Sequence, residues 1–245
     1  MIEGKTIILL GSRGLIGKNI EKSILEKKAN LISVDLDQTE SENDNLLCLK
    51  ADITNSESLQ KIIELSKKKF QKIDALINCS YPKNNSFGKE NFNTSYKNFC
   101  ENLNLHLGGF FESTKVFFNF FKIEGKGTII NFSSIYGSIN PRFELYESTD
   151  MKLPIEYVIA KSGVVHLTKY FASCSKGLNI NINSISPGGV EDNQPHIFKK
   201  KYNSMSLNKG LLKASDINEL VIFLLSDGAK NINGQNIVID DGFSL

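Results

Sequence analysis

The chain has 245 residues, 40% of them hydrophobic and 23% charged, a balance that suits one soluble domain with a sizeable core and excludes a miniprotein dependent on staples. Its formal net charge of +2 leaves no electrostatic footprint of a nucleic-acid binder, and no apolar run approaches the length of a membrane span. The four cysteines, Cys48, Cys79, Cys100 and Cys174, form no CxxC pair and no Cys/His cluster at metal spacing, so reduced, mostly buried thiols and no metal site are expected. The first residues, MIEGKTIILLGS, reach a glycine turn without a basic leader, unlike a signal peptide, and a cytoplasmic location is expected.

Short apolar runs alternate with helix-length segments. KTIILL at 5–10 reads as a strand, followed by a helix from about Gly17. NLISVDL at 30–36 and LLCLKAD at 46–52 are further strands, and SESLQKIIELSKKKF at 56–70 is a helix whose terminal lysines suit the macrodipole. DALINCS at 74–80 precedes a long helical segment to Phe121. GTIINFSS at 127–134, a helix from Tyr157, NININSISPGG at 179–189, the helical ASDINELVIFLLSD at 214–227 and GQNIVIDDG at 234–242 complete the chain. Strands rich in Ile, Leu and Val between helices predict βαβ units with right-handed crossovers. The expected fold is α/β, a doubly wound parallel sheet of Rossmann-like type with helices on both faces. No repeat or Pro-rich linker divides residues 1–245, which read as a single domain.

Gly11, Gly14 and Gly17 lie between the first strand and the first helix, where glycine permits a tight turn and close backbone approach to a pyrophosphate at a helix N-terminus. Asp35 closes the second strand. A carboxylate there can accept hydrogen bonds from an adenosine ribose and would repel a 2'-phosphate, whereas Arg13 could accept that phosphate. NAD is therefore expected, with NADP not excluded.

These landmarks, together with ADIT, LINCS, NFSS, YVIAK and SISPGGV in that order, resemble the short-chain dehydrogenase/reductase family along nearly the whole chain. The resemblance implies a nicotinamide cofactor and alcohol/ketone interconversion. It implies cofactor contacts at Gly11, Arg13, Ile16, Gly17, Asp35, Asp52, Ile53, Asn78, Tyr157, Lys161, Pro187, Gly188 and Val190. It also implies Tyr157 as the proton-transfer group, Lys161 as its electrostatic support and a ribose ligand, and Ser134 as donor to the substrate oxygen. On a helix, Tyr157 and Lys161 are i and i+4 neighbours, so an ammonium is expected to lower the phenol's pKa.

The sequence also departs from the family. The glycines follow the even spacing of its extended branch rather than that of its compact branch. Cys79, Ser80 and Tyr81 follow Asn78 where the family has Asn-Ala-Gly. His106 stands where the family has a catalytic-site Asn, and both a structural role and a water-holding role are open to it.

Residues from about 139 to 154 look inserted between the serine strand and the tyrosine helix, at the strand end that lines the ligand crevice of such sheets. This stretch carries Arg142, Glu144, Tyr146, Glu147, Thr149, Asp150 and Lys152, a polar rim suited to a polyhydroxylated substrate. Arg142 and Lys152 are the cationic candidates for a substrate carboxylate or phosphate. Residues of about 190–210 stand where relatives carry a substrate lid, and His196 and Lys199 to Lys201 are the candidates there to attract an anion. LGGFFESTKVFFNFF is apolar around its circumference, and relatives pair this helix across subunits, so a homodimer or homotetramer is expected.

The resulting expectation is an NAD(P)-dependent oxidoreductase acting on a small polar molecule, with a sugar or nucleotide sugar as the candidate substrate. A non-catalytic nucleotide-binding sensor or scaffold, and an epimerase or dehydratase using a transient keto form, are the alternatives.

Overall fold

The computed structural model describes all 245 residues. Eight strands form one sheet: β1 (Thr6–Leu10), β2 (Asn30–Asp35), β3 (Ser41–Asn43), β4 (Leu46–Lys50), β5 (Ala75–Asn78), β6 (Lys126–Phe132), β7 (Asn179–Pro187) and β8 (Asn236–Ile239). Their order is β3-β4-β2-β1-β5-β6-β7-β8. Every pairing is parallel except that of β3 with β4. The antiparallel edge strand β3, with the wholly exposed sequence SEN, is absent from the sequence expectation, because it carries none of the apolar signal that marks a buried strand.

The helices are α1 (Leu15–Glu26), α2 (Ser56–Phe70), α3 (Tyr96–Leu103), α4 (Gly109–Glu124), α5 (Ile155–Cys174), α6 (His196–Met205) and α7 (Asn218–Leu225). The helix expected from Gly17 starts two residues earlier, and that expected from Tyr157 starts at Ile155. The Asn55 side chain caps α2 by accepting from the Ser58 N–H at 2.9 Å. The long segment before Phe121 resolves into α3, one π-helical turn at Asn104–Gly108, and α4. The additional residue in that turn shifts the helical register, and His106 and Phe110 both point inward, at 1% and 0% exposure.

Alternation along the strands divides the core in two. Ile7, Leu9, Leu31 and Ile77 face one layer with Ile20 and Ile24 of α1 and Val221 and Leu224 of α7. Ile8, Leu10, Ile32 and Leu76 face the other with Leu59 of α2, Phe117 and Phe121 of α4, and Phe171 of α5. A third apolar cluster caps the C-terminal edge of the sheet and joins Tyr136, Leu145, Leu153, Phe198, Tyr202 and Phe243.

Part of the stretch expected to form a polar rim therefore belongs to a core, since Leu145 and Leu153 are buried there. The thiols also differ from expectation. Cys48 is buried and Cys79 half-buried, but Cys100 and Cys174 are exposed, on outward faces of α3 and α5. No helix is long and apolar enough to cross a membrane.

Phe121 is fully buried, whereas Ile123 two residues on is 85% exposed. Phe121→Ala should lower the unfolding free energy by about 3–5 kcal/mol in a urea titration. Ile123→Ala should change it by less than about 0.5 kcal/mol. Equal effects would contradict the assignment of this face of α4 to the core.

Candidate active site

The strand order reverses between β2 and β5 on either side of β1, and a doubly wound sheet opens a crevice at the carboxyl ends of such strands. The turn after β1 is held tightly there. Gly11 has φ +84°, and a Cβ on it would lie 2.6 Å from the Ser80 backbone; one on Gly17 would lie 2.1 Å from the Gly11 carbonyl oxygen. Side chains at either position would separate the turn from its neighbours. The close approach leaves the N-terminus of α1 open to an anion.

A cavity of about 370 Å³ runs from this turn past the ends of β2 and β4, lined by Gly11, Arg13, Asp35, Asp52, Ile53 and Tyr81 among others. Asp35 accepts from the Arg13 N–H at 2.9 Å and from the Asp37 N–H at 3.2 Å. Its carboxylate thus fixes the turn as well as charging the cavity. Asp52 accepts from the Thr54 N–H and hydroxyl, each at 2.8 Å. Asn78 is fully buried; it donates to the Ser113 hydroxyl at 2.7 Å and accepts from the Ser80 N–H at 3.2 Å. This buried amide anchors the loop after β5. The glycine cradle, the carboxylate at the end of β2 and the cavity between them fit an adenine dinucleotide.

A second cavity, of about 290 Å³, adjoins the ends of β6 and β7. Its walls include Ile16, Ser134, Tyr157, Pro187, Gly188 and Val190 from the sequence expectation. Ser134 caps the short turn Ile135–Gly137, its hydroxyl accepting from the Tyr136 N–H at 3.2 Å. Tyr157 lines the same cavity as Ser134. One turn of α5 further on, Lys161 is 4% exposed and donates from Nζ to the Phe132 carbonyl at 2.9 Å. Its Nζ stands 5.0 Å from the ring centre of Phe110, 5.7 Å from that of Tyr81 and 6.0 Å from that of Tyr157. The fold thus brings Ser134, Tyr157 and Lys161 together.

The electrostatics differ from the simple expectation of a phenol acidified by a neighbouring ammonium. Burial raises the Tyr157 pKa above its ordinary value, the Ser134 hydroxyl pulls it back, and nearby Tyr136 raises it again. Burial also lowers the Lys161 pKa to about 7. Both groups are therefore biased toward their neutral forms. His106 is driven well below its ordinary value by burial and by Lys161, and neither ring nitrogen has a hydrogen-bond partner. It stacks on Phe110 with centroids 5.6 Å apart and meets Tyr81 edge-on at 5.0 Å.

Arg142 and Lys152 are not among the residues lining the second cavity. The Arg142 guanidinium lies 5.5 Å over the Phe243 ring; the apolar pull of its neighbours Leu145 and Leu153 turns the stretch so that Tyr146, Met151 and Leu153 face the cavity instead. The lysines of α6 are partly engaged as well. Lys199 pairs with Glu191 at 3.0 Å, and Lys201 donates to the Glu144 and Glu147 carbonyls at 2.6 and 3.2 Å.

The sequence reading missed Tyr136, Gln194, Phe198 and Tyr202 on the cavity wall. Tyr136 lies two residues beyond Ser134 and was detectable on that ground; Gln194, Phe198 and Tyr202, on or just before α6, are brought in only by tertiary packing. Tyr202 accepts from the Gly189 N–H at 2.6 Å and stacks on Phe243 with centroids 4.2 Å apart.

A family model described as enoyl-(acyl carrier protein) reductase matches residues 12–244. The chain is 42% identical to post-translational flagellin modification protein A of Campylobacter coli over the full length of both. It is 24% identical to a 3-oxoacyl-[acyl-carrier-protein] reductase of Thermotoga maritima, covering 100% of this chain and 99% of that protein. The crystal structure of a short chain dehydrogenase from Leptospira borgpetersenii with bound NAD+ superposes with a TM-score of 0.89 at 30% identity, covering 100% of this chain and 94% of that one.

Lys161 gives the site a measurable proton linkage. The unfolded chain keeps this lysine protonated up to its ordinary value of 10.5, while the folded chain releases the proton near 7. Between those values the folded state binds fewer protons, so its stability rises with pH; below about 7 both states are charged and the full cost of burying the ammonium is present. Lys161→Met removes this titration. In urea unfolding, wild-type stability relative to Lys161→Met should rise by about 2–3 kcal/mol from pH 6 to pH 9. A constant difference would mean that the lysine stays charged throughout.

Proposed function

The chain belongs to the short-chain dehydrogenase/reductase family, and on that premise we propose that it interconverts a secondary alcohol and a ketone on a small polar substrate with NAD as cofactor. The convergence of Ser134, Tyr157 and Lys161 beside a glycine-lined dinucleotide cavity is the observation that most supports this reading. Domain, site and partner assignments follow from it. Residues 1–245 act as one dinucleotide-binding and catalytic unit, with 139–154 and 190–210 enclosing the substrate.

Gly11 and Gly17 leave room for a pyrophosphate at the N-terminus of α1, and Asp35 receives the adenosine ribose. Arg13, Ile16, Asp52, Ile53, Asn78, Pro187, Gly188 and Val190 flank the remaining length of the cofactor, and Lys161 holds a ribose hydroxyl. When bound, the nicotinamide supplies the hydride chemistry. Ser134 donates a hydrogen bond to the substrate oxygen, and Tyr157 delivers or accepts the proton at that oxygen. Its raised pKa keeps the phenol protonated at neutral pH, the form required to protonate the oxygen of a ketone being reduced. Oxidation of the alcohol requires the phenolate and is favoured by higher pH.

The second cavity has hydroxyl-bearing and aromatic walls, which suit a polyhydroxylated ring. The similarity to a flagellin modification protein supports a sugar or nucleotide-sugar substrate. A second copy of the chain is the proposed partner. An apolar groove of about 540 Å³ between the Leu103–Phe111 and Gly163–Tyr170 segments, flanked by exposed Ile159, supports helix pairing in a homodimer or homotetramer.

Tyr157→Phe retains the ring and removes the transferable proton. Substrate-dependent hydride transfer should fall at least about a hundredfold, with NAD affinity by calorimetry unchanged. Normal turnover would overturn the assignment; a protein that only senses the cofactor would show no transfer in either form. Asp35 should make wild-type binding of NAD tighter than that of NADP, and Asp35→Ser should narrow or reverse the preference. Equal or tighter NADP binding by the wild type would count against the role given to this carboxylate.

A further inference from the structure

The cavity beneath α6 has no charged side chain in its walls. A charged substituent entering it would lose its hydration without gaining a counter-ion. Its polar groups are largely hydroxyls, and several of them already have a partner or an assigned role. Tyr202 is bound to the Gly189 N–H, while Ser134 and Tyr157 serve the reacting oxygen. Tyr136 and Tyr146 remain. Both line the cavity. Each phenol carries one proton that it can donate within the cavity.

Tyr146 is held from several sides. Its ring meets Phe198 edge-on with centroids 5.5 Å apart, and the preceding Leu145 is fully buried. Lys201 Nζ grips the carbonyls of Glu144 and Glu147 on either side of it. Tyr136 is fixed through its N–H to the Ser134 hydroxyl, which places the phenol pair beside the group that receives the reacting oxygen.

Resting on the oxidoreductase reading above, we propose that Tyr136 and Tyr146 together recognise an uncharged hydroxyl next to the carbon that exchanges hydride. The substrate enters this cavity as a neutral vicinal diol or hydroxy ketone, and any charged group it carries stays outside. A substrate lacking the second hydroxyl would leave a buried phenol unpaired, which is how such a site discriminates.

The test uses the full chain loaded with NADH, whose binding is first measured by calorimetry. The loaded protein is titrated with cis-1,2-cyclohexanediol and with cyclohexanol, followed by the ligands' NMR signals. The diol should bind about fivefold more tightly, the scale of one net hydrogen bond. Tyr146→Phe keeps the ring and its contact with Phe198; it should erase the diol's advantage while leaving cyclohexanol and NADH affinities unchanged. The proposal is overturned if the wild type shows no preference or no diol binding, or if the preference persists in both Tyr146→Phe and Tyr136→Phe. It also falls if Tyr146→Phe weakens both alcohols equally, which would make the residue a matter of cavity shape alone. Failure of NADH to bind would instead overturn the cofactor reading, and this one with it.

Discussion

The site is organised around one costly placement, an amino group buried at the junction of β6 and α5. Lys161 has the Phe132 carbonyl as its hydrogen-bond partner, and the faces of Phe110, Tyr81 and Tyr157 surround it. An isolated ammonium in such surroundings is expensive, and the structure meets the cost with a carbonyl, π-faces and a lowered pKa. The backbone of the same lysine is also tied, because the Ser133 hydroxyl donates to the Lys161 carbonyl at 2.8 Å. Strand end, short turn and helix therefore meet at a single residue. Moving Lys161 would displace Ser134 and Tyr157 together.

The parts of this arrangement that were legible in the sequence are those set by local chemistry. Strands buried on both faces are runs of Ile, Leu and Val, and the glycine turn is marked because a Cβ at Gly11 or Gly17 would strike backbone. Tyr157 and Lys161 are a helical pair by spacing alone. What was not legible depends on which side of a loop faces inward. Arg142 and Lys152 are the conspicuous charges of the 139–154 stretch, yet Leu145 and Leu153 determine its orientation by burying themselves. Arg142 is left against Phe243, and the less conspicuous Tyr146 is brought to the cavity. The π-helical turn was likewise invisible, since NLHLG carries no local signature of an inserted residue, and the edge strand β3 has no apolar pattern to reveal it.

The third apolar cluster accounts for much of what the sequence left open. It joins residues far apart along the chain: Tyr136 after β6, Leu145 and Leu153 in the following stretch, Phe198 and Tyr202 on α6, and Phe243 beyond β8. Such contacts tie α6 to the rest of the molecule through side-chain packing, while Lys201 adds a hydrogen-bonded clasp to the Glu144 and Glu147 carbonyls. The second cavity is thus walled by the same residues that hold α6 in place. A change in cavity shape and a change in the anchoring of α6 are difficult to separate at Phe198 or Tyr202, whereas removal of a hydroxyl at Tyr146 leaves the packing surface intact.

The concentration of phenols at the two cavities gives the molecule a particular optical character. The chain has seven tyrosines and no tryptophan, and five of the tyrosines, Tyr81, Tyr136, Tyr146, Tyr157 and Tyr202, line one cavity or the other. Its intrinsic ultraviolet fluorescence therefore originates mainly at the site rather than being spread over the surface. A reduced nicotinamide, which absorbs where tyrosine emits only weakly but close enough for energy transfer at contact distance, would quench that emission as it binds. The protein carries its own reporter of site occupancy without an added dye.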